Sequence, residues 1–428
     1  MASPISAAIQ GKGALNLARR GLSIAYRYGA TAARMDDALA RFTAILGQFG
    51  CSATFPTTAI VVSRHPQLVR RYQDQGIEFA IHGYRHIDHS VLSAEAQFAQ
   101  LSLAREAFSR VGIQVRGFRC PYLRWNEGTL GSLRQQGFVY DSSQGLAWDV
   151  LDGREAPAYL RELSFCGALP AAQYPSLPRI EDNLVRIPYS FPDDEVLVER
   201  LTLKTPTQMS DLWLGILNRT YELGELFTLG LHPERTELCQ EPLTATLAQA
   251  RSLTPPVWIA RLDEIAAWWQ ARSQASVCVT DDGEGQLRLE VIGPPGVTVM
   301  ARGVKADTPA TSWMEGYSQL ASNTFVMSAA LRPFVGVSAD TSSRLVGFLR
   351  EQGYVVEVSA ARGRFSYYID QAQFSTEQER PLLAEIEGSG HPLVRLGRWP
   401  NGAHSALAIT GDIDAFTWWD FGLRFLGM

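Results

Sequence analysis

The sequence has no excess of basic residues. Its 428 residues include 39 Lys and Arg against 44 Asp and Glu, which gives a formal charge of −5 at pH 7. Non-specific binding to nucleic acid needs a positively charged surface, so we predict no nucleic-acid partner. Only three of the 39 basic residues are lysines, and we attribute this preference for arginine to coding bias rather than to function.

Cysteines and long apolar runs are scarce as well. The five cysteines stand far apart without a CxxC pair, which argues against a disulfide framework and against a Cys-based zinc site. They are Cys51, Cys120, Cys166, Cys239 and Cys278. No apolar run reaches the roughly 18 residues of a membrane-spanning helix, and residues 1–21 lack the apolar core of a secretion signal. We therefore predict a soluble, cytoplasmic protein without a transmembrane segment.

Helix and strand patterns alternate from about residue 36 to about residue 273. Residues 35–50, MDDALARFTAILGQFG, show helical spacing that ends on a glycine. Residues 52–62, SATFPTTAIVV, are apolar and rich in β-branched residues, which predicts a buried strand. Alternation at this pitch predicts parallel βαβ units, in either an open sheet or a closed barrel.

The pattern changes at residue 276. Residues 276–303 alternate apolar and polar residues around Gly- and Pro-rich turns, which predicts antiparallel strands. We therefore predict an α/β domain over 1–275 and a small β-rich α+β accessory domain of unknown role over 276–390. Residues 391–428 contain another buried strand, ALAIT.

Two histidines, His82 and His86, follow the predicted strand IEFAI. Side chains four residues apart lie on one face of a helical turn, close enough to share a metal ion. On spacing alone, a solvent-exposed histidine cluster is an equal alternative. We expect the nearby His89 to be exposed.

Two carboxylates, Asp412 and Asp414, directly follow the apolar strand ALAIT. The carboxyl ends of buried strands are where α/β enzymes place ligands and catalytic groups. One carboxylate could join the two imidazoles on a divalent cation, and the other could act as a general base. The alternatives are an acidic turn or a cap of the next helix.

Three further groups are candidates. Arg119 ends a strand and could orient a carboxylate through a bidentate contact, or it could be a surface arginine. His232 ends the apolar strand FTLGL, a position where a lone histidine is more often structural than catalytic. We interpret Asp193 and Asp194, which are followed by a third acidic residue, as a solvated loop.

Five segments follow one another along the chain: SATFPTTA, EFAIHGYRH, GFRCPYLRWNEGTLGSLRQQGFVYDSS, LGLHPE and VWIARLDEIAAWW. In order and content they resemble the polysaccharide deacetylases, the NodB-homology group of carbohydrate esterases, over residues 36–275. The resemblance implies an α/β fold, an irregular (β/α) barrel. It also implies that His82 and His86 are metal ligands, that His232 is the general acid and that Arg119 braces the catalytic base.

The sequence departs from this family at its start. The family's acidic first-strand motif is missing, because residues 1–34 contain no carboxylate. A D-x-D motif instead follows ALAIT near the C-terminus, an arrangement that resembles a circular permutation in which the C-terminus supplies the first strand. The resemblance thus implies that residues 391–428 complete a catalytic domain formed by residues 1–275. By position, Asp412 would be the general base and Asp414 the third metal ligand, with the reverse assignment still open.

The resemblance implies a metal-dependent hydrolase that removes acetyl groups from an N-acetylated or O-acetylated sugar or glycan. Two imidazoles and one carboxylate suit Zn²⁺, with Co²⁺ or another first-row ion as alternatives. Trp418 and Trp419 could stack on a sugar, but we expect them in the core. The oligomeric state stays open at this point.

Three other functions compete with this interpretation. The first is an amidohydrolase that acts on a small ureide or imide, similar to allantoinase. The second is a catalytically inactive carbohydrate-binding protein, and the third is a scaffold whose main function resides in residues 276–390. An intact set of candidate side chains argues against the inactive alternative.

Overall fold

Twelve strands form the main sheet in the computed structural model, which describes residues 27–153, 155–203, 205–281 and 285–426, with side chains to residue 423. The strand order is β6-β5-β9-β10-β23-β1-β2-β3-β4-β8-β7, and β11 pairs with β23. The bounds are β1 Thr54–Thr57, β2 Glu78–Ile81, β3 Gly117–Phe118, β4 Tyr140–Asp141, β5 Gly145–Ala147, β6 Leu169–Pro170, β7 Arg179–Glu181, β8 Leu184–Arg186, β9 Tyr189–Phe191, β10 Leu226–Leu231, β11 Val257–Ile259 and β23 Ser405–Gly411.

All pairings in this sheet are parallel except the antiparallel contact of β7 with β8. Parallel strands require crossover connections, and helices cover the sheet as the alternating pattern predicts. The sheet curls into a half-barrel with β6 and β7 at its edges. The predicted α/β fold is therefore confirmed.

Most of the helices lie where the helical spacing and the capping residues predict them. Ser93 caps α4 by accepting from the backbone N–H of Ala96, and Asn126 forms a capping box at the start of α5. Their bounds are α1 Ala33–Gln48, α2 Ala59–Arg64, α3 Pro66–Asp74, α4 Ala94–Arg110, α5 Glu127–Gln135, α6 Pro157–Cys166, α7 Pro206–Glu222, α8 Thr236–Ser252, α9 Leu262–Ser273, α10 Ser343–Glu351, α11 Glu379–Gly388 and α12 Trp418–Leu426.

One predicted strand is too long. Residues 52–62 split into β1, which ends at Thr57, and the short helix α2, which contains the β-branched residues Ile60, Val61 and Val62. The backbone N–H groups of Val61 and Val62 donate to the Thr58 carbonyl. Helical hydrogen bonding and burial against the sheet here override the β propensity of these side chains.

The C-terminal strand β23 lies inside the main sheet. It pairs with β10 along its length, from Leu226 opposite Ala406 to Leu231 opposite Gly411, and it contacts β1 where Thr54 faces Thr410. All seven residues of β23 are buried. The strand that we predicted to complete the sheet therefore lies beside SATFPTTA, although most of the chain separates the two in sequence.

Three smaller sheets are built mainly from the region after residue 275. Their orders are β12-β13-β18-β15, β16-β17-β14-β22 and the parallel sheet β20-β19-β21. The bounds are β12 Ser276–Asp281, β13 Gln286–Ile292, β14 Val299–Arg302, β15 Lys305–Ala306, β16 Ala310–Ser312, β17 Tyr317–Leu320, β18 Thr324–Ser328, β19 Arg332–Val337, β20 Val356–Val358, β21 Phe365–Ile369 and β22 Leu393–Leu396. Because β22 pairs with β14, we propose to extend the accessory region from residue 390 to about residue 396.

None of the helices in the described part of the chain combines the length and the apolar character that crossing a membrane requires.

Candidate metal centre and active site

Three predicted ligand side chains converge at the carboxyl ends of neighbouring strands. His82 follows β2 and His86 lies on the turn after it, whereas Asp414 comes from the loop that follows β23. Oδ1 of Asp414 lies 3.6 Å from Nε2 of His82 and 3.4 Å from Nε2 of His86. The parallel pairing of β2, β1 and β23 brings these ends to one edge of the sheet.

The spacing of these atoms suits one ion. Two ligand atoms that each lie about 2.0–2.1 Å from a tetrahedral ion are about 3.3–3.4 Å apart. The three donor atoms lie within 4.8 Å of one another, so a small adjustment of the side chains would fit this geometry. Two nitrogens and one oxygen match the donors that zinc and other first-row ions take.

The surroundings of His82 favour its ligand form. Its Nδ1 donates a hydrogen bond to the Arg119 carbonyl over 2.9 Å, which leaves the lone pair on Nε2 directed at Asp414. Burial lowers the pKa of His82, against the raising effect of Asp412 and Asp414. A neutral imidazole with a fixed tautomer is the state that binds a metal.

Arg119 is fully buried and contacts the second aspartate. Its Nη1 donates to Oδ1 of Asp412 over 2.6 Å and to Oγ1 of Thr410 over 2.9 Å. Its Nε donates to the Ser142 carbonyl, and the guanidinium stacks on the Tyr189 ring at 4.7 Å. These contacts exclude the alternative of a surface arginine. They hold Asp412 in one orientation beside the three-ligand cluster.

His232 is held by a buried aspartate. Oδ1 of Asp194 accepts from Nδ1 of His232 over 2.8 Å, and Oδ2 accepts from the His232 backbone N–H over 2.8 Å. Burial opposes protonation of His232, but Asp194, with Glu234 and Glu195 nearby, raises its pKa well above the ordinary value. This direction favours the protonated imidazole, which could donate a proton from Nε2.

Our interpretation of Asp193 and Asp194 as a solvated loop is wrong. Both side chains are buried: Tyr189 donates to Asp193, and Asp194 orients His232. Burial and the adjacent Asp194 raise the pKa of Asp193 to about 7. The sequence contains a signal for this placement, since the pair follows the buried strand β9 after Pro192, much as Asp412 and Asp414 follow β23.

Two further predictions, that His89 is exposed and that Trp418 and Trp419 are in the core, are also wrong. His89 is fully buried, and burial together with the nearby His82 lowers its pKa to about 4. Trp418 and Trp419 are not in the core: they are 39% and 57% exposed and stack on each other with ring centroids 4.4 Å apart. The segment that carries Asp414 thus continues into an exposed aromatic pair.

Comparison with known proteins matches residues 25–140 to the family described as polysaccharide deacetylase. This part of the chain is similar to the polysaccharide deacetylases. The resemblance inferred from sequence is confirmed, and the matched range contains His82, His86 and Arg119. His232, Asp412 and Asp414 lie outside the range, so their place beside this deacetylase segment rests on the geometry above.

A curated relative is the peptidoglycan deacetylase-like protein FGM2 of Gibberella zeae, 34% identical over 93 residues. The match covers 22% of this chain and about a quarter (25%) of that protein's length. This short match does not show that the two proteins share an activity.

Solved structures of similar fold include a Mycobacterium smegmatis protein assigned to the polysaccharide deacetylases and the allantoinase Puue. The first is 23% identical, covers 59% of this chain and 82% of that chain, and gives a TM-score of 0.43. The second is 19% identical, covers 55% and 72%, and gives a TM-score of 0.45. With TM-scores below 0.5, these two similarities support no inference about activity.

Proposed function

We propose that the chain is a metal-dependent deacetylase that removes acetyl groups from an N-acetylated, or alternatively an O-acetylated, sugar or glycan. The observation that carries the proposal is the convergence of His82, His86 and Asp414 beside Asp412. This convergence occurs next to a segment of the polysaccharide deacetylase family. His232 with its aspartate partner supplies the proton donor that amide cleavage also needs.

A divalent ion held by His82, His86 and Asp414 would polarise the acetyl carbonyl and increase the acidity of a water molecule. We favour Zn²⁺, with Co²⁺ or another first-row ion as alternatives, because the donor set has two nitrogens and one oxygen.

The protein side chains divide the proton transfers between them. Asp412, held by Arg119, accepts the proton of the attacking water. His232, whose pKa Asp194 raises, donates a proton from Nε2 to the departing amine. Arg119 is a positioning residue, because its hydrogen bonds end on Asp412 and on backbone and hydroxyl groups rather than at the reaction centre.

The exposed aromatic pair favours a sugar as substrate. Trp418 and Trp419 follow Asp414 by four and five residues and present their rings to solvent. Aromatic faces bind the apolar faces of sugar rings, and an exposed stacked pair otherwise leaves apolar area in contact with water. Trp419→Ala should raise KM for an oligosaccharide several-fold and leave cleavage of a small aryl acetate unchanged. Leu331→Ala, which truncates another exposed apolar side chain, is the matched control.

Metal analysis tests the ligand set. Purified protein should contain about one equivalent of divalent metal, and His86→Ala should lose it. His391→Ala is the control, because His391 is exposed and its ring nitrogen Nδ1 donates to the Ser366 carbonyl, far from the proposed ligands. Equal metal content in the wild type and His86→Ala would refute the assignment.

Acetate release tests the reaction. The protein should release acetate from N-acetylglucosamine oligomers or O-acetylated glycans, and chelation of the metal should stop the release. The same assay with allantoin and cyclic imides separates this function from the competing amidohydrolase. Metal-loaded protein that binds glycans without releasing acetate would instead support the inactive carbohydrate-binding alternative.

A further inference from the structure

A second cluster of polar side chains surrounds a cavity far from the candidate active site. The cavity has a volume of about 190 Å³ and lies between the amino ends of β10 and β23 and the accessory region. Its deep lining includes Arg380, Arg395, Arg398, His404 and the two carboxylates Glu225 and Glu387. At about 3.3 Å per residue, β23 separates His404 from Asp412 by about 25 Å.

The charges in this cavity do not balance. Arg380 pairs with Glu225 over 2.9 Å, and Arg395 contacts Glu387 over 3.4 Å. Arg398 donates from Nη1 to the Leu223 carbonyl. Within the described ranges, however, no carboxylate lies within 4 Å of Arg398. Three arginines therefore face the buried Glu225 and the half-buried Glu387.

The unpaired cation is buried. Arg398 is 8% exposed, and burial together with the neighbouring Arg395 lowers its pKa. A buried charge without a partner is costly, because it loses the solvation of water without gaining a counter-ion. The acidic residues Glu222 and Glu315 lie at the exposed rim, where water and salt screen their charge.

Hydrogen-bonding groups along the cavity wall also lack partners. Among the residues that the structure describes, Nε of Arg380 and Nε of Arg398 are buried without a hydrogen bond. The buried His404 ring lies against the Tyr221 backbone, which takes up at most one of its two nitrogens. His404 is held between the Tyr221 and Trp313 rings, with centroids 4.9 Å from each. Buried polar groups in native proteins nearly always have partners. The unpartnered N–H donors along this cavity therefore favour a ligand that accepts hydrogen bonds.

We propose that this cavity binds a small oxyanion, a carboxylate or phosphate group, between Arg398 and His404. Such a group supplies both the missing negative charge and the missing acceptors, and guanidinium groups bind it with charge-assisted hydrogen bonds. The site is independent of the proposed deacetylase reaction, because it lies at the opposite ends of β10 and β23. Occupancy of the site would strengthen the junction between the main sheet and the accessory region.

Thermal unfolding of the full-length protein in inorganic phosphate, acetate and chloride at equal ionic strength tests the proposal. The wild-type Tm should rise by about 2–4 °C, saturably, in phosphate or acetate relative to chloride. Comparison of the two titrations identifies which group is bound. Arg398→Gln should remove the rise, yet in chloride it should be at least as stable as the wild type because an unpaired buried charge is gone.

Two further variants complete the design. Arg110→Gln removes an exposed arginine far from the cavity and should respond to anions as the wild type does. His404→Gln leaves the guanidinium in place and gives the same comparison if Arg398→Gln fails to fold. A wild-type Tm without a saturable rise, or an equal rise in Arg398→Gln, would show that water alone fills the cavity and would overturn the proposal.

Discussion

Arg119 donates a hydrogen bond of 2.6 Å from Nη1 to Oδ1 of Asp412, across 293 positions of the sequence. The same nitrogen donates to Thr410, two residues earlier on β23. The end of β3 and the end of β23 are thus joined by one buried guanidinium. This contact fixes where the Asp412 carboxylate points, beside the cluster of His82, His86 and Asp414.

The first prediction concerns the two aspartates of the D-x-D motif. Asp412→Asn should retain metal but lose on the order of 10²-fold or more in kcat, because the amide cannot accept the proton of water. Asp414→Asn should lose the metal itself. Metal analysis and acetate-release kinetics on the two variants make the comparison.

Asp37→Asn is the matched control, since Asp37 is an exposed aspartate on α1, near the place where the family's acidic motif is expected. It should match the wild type in both measurements. Loss of metal in Asp412→Asn with retention in Asp414→Asn would show that the two roles are reversed.

Sequence reasoning predicted that these side chains lie close together because strand ends obey a simple rule. The residues that follow parallel strands meet at one edge of the sheet, and that rule alone places His82, Asp412 and His232 on the same side. The acidic motif missing from the start of the chain and the D-x-D after ALAIT, set against the family resemblance, then indicated that β23 belongs beside β1, where the structure has it.

The errors concern burial, which depends on contacts between distant segments. Asp194 looks solvated in sequence because three acidic residues are adjacent, but His232 and Arg235 from another segment surround it. Trp418 and Trp419 look like core residues by composition. No neighbouring element covers their rings fully, and no local pattern in the sequence encodes that fact.

The second prediction concerns the pH dependence of the reaction. His232 must be protonated to act as the acid, and Asp194 raises its pKa. Activity should therefore persist to alkaline pH and fall only above the raised pKa. Asp194→Asn lowers that pKa, so the alkaline limb of the kcat profile should move to lower pH by about one unit or more.

The exposed Asp211 on α7 offers a control for this experiment. Asp211→Asn also removes one negative charge but should leave the alkaline limb in place. An unmoved limb in Asp194→Asn would mean that a group other than His232 donates the proton.

The third prediction concerns the loop that follows Asp414. Asp420 accepts from the Thr417 hydroxyl and backbone N–H, and it pairs with Arg64 and His65 of the segment after β1. Burial alone would raise the pKa of Asp420, but the hydrogen bonds from His65, Thr417 and Arg64 outweigh it and lower the pKa to about 2. The ionised carboxylate therefore ties the loop to the main domain.

The sign of the pH effect follows from this lowered pKa. The stabilisation is complete above the unfolded pKa of about 4 and disappears as the pH falls toward about 2. Asp420→Asn should lower the free energy of unfolding by about 2 kcal/mol at pH 7, with a deficit that shrinks between pH 4 and pH 2. Urea denaturation measures the free energy of unfolding at each pH. The control variant Asp74→Asn, which changes an exposed aspartate, should have the same free energy of unfolding as the wild type. If Asp420→Asn lost the same free energy of unfolding at pH 2.5 as at pH 7, the charge of Asp420 would be excluded as the cause.

The last prediction concerns β23 itself. A chain that ends at His404 keeps all seven histidines but lacks the strand between β10 and β1. The loss of β23 leaves backbone groups of β10 and β1 unpaired. It also exposes the core side chains that pack against Leu407 and Ile409. Burial of each such side chain contributes about 1.5–3 kcal/mol, a large share of a typical stability of about 5–15 kcal/mol. The shortened chain should be insoluble or free of metal.

The structure also shows where the lost strand can be restored. The backbone N–H of Trp418 donates to the Gly29 carbonyl over 3.1 Å, so the loop after Asp414 ends beside the first described residues of the chain. Residues 405–417, placed directly ahead of Gly29 in the shortened chain, should therefore re-enter the sheet between β10 and β1. This variant should regain about one equivalent of metal, whereas the same graft carrying Asp414→Asn should not. A shortened chain that binds metal without any graft, or a folded grafted chain that binds none, would refute the view that β23 replaces the missing first strand.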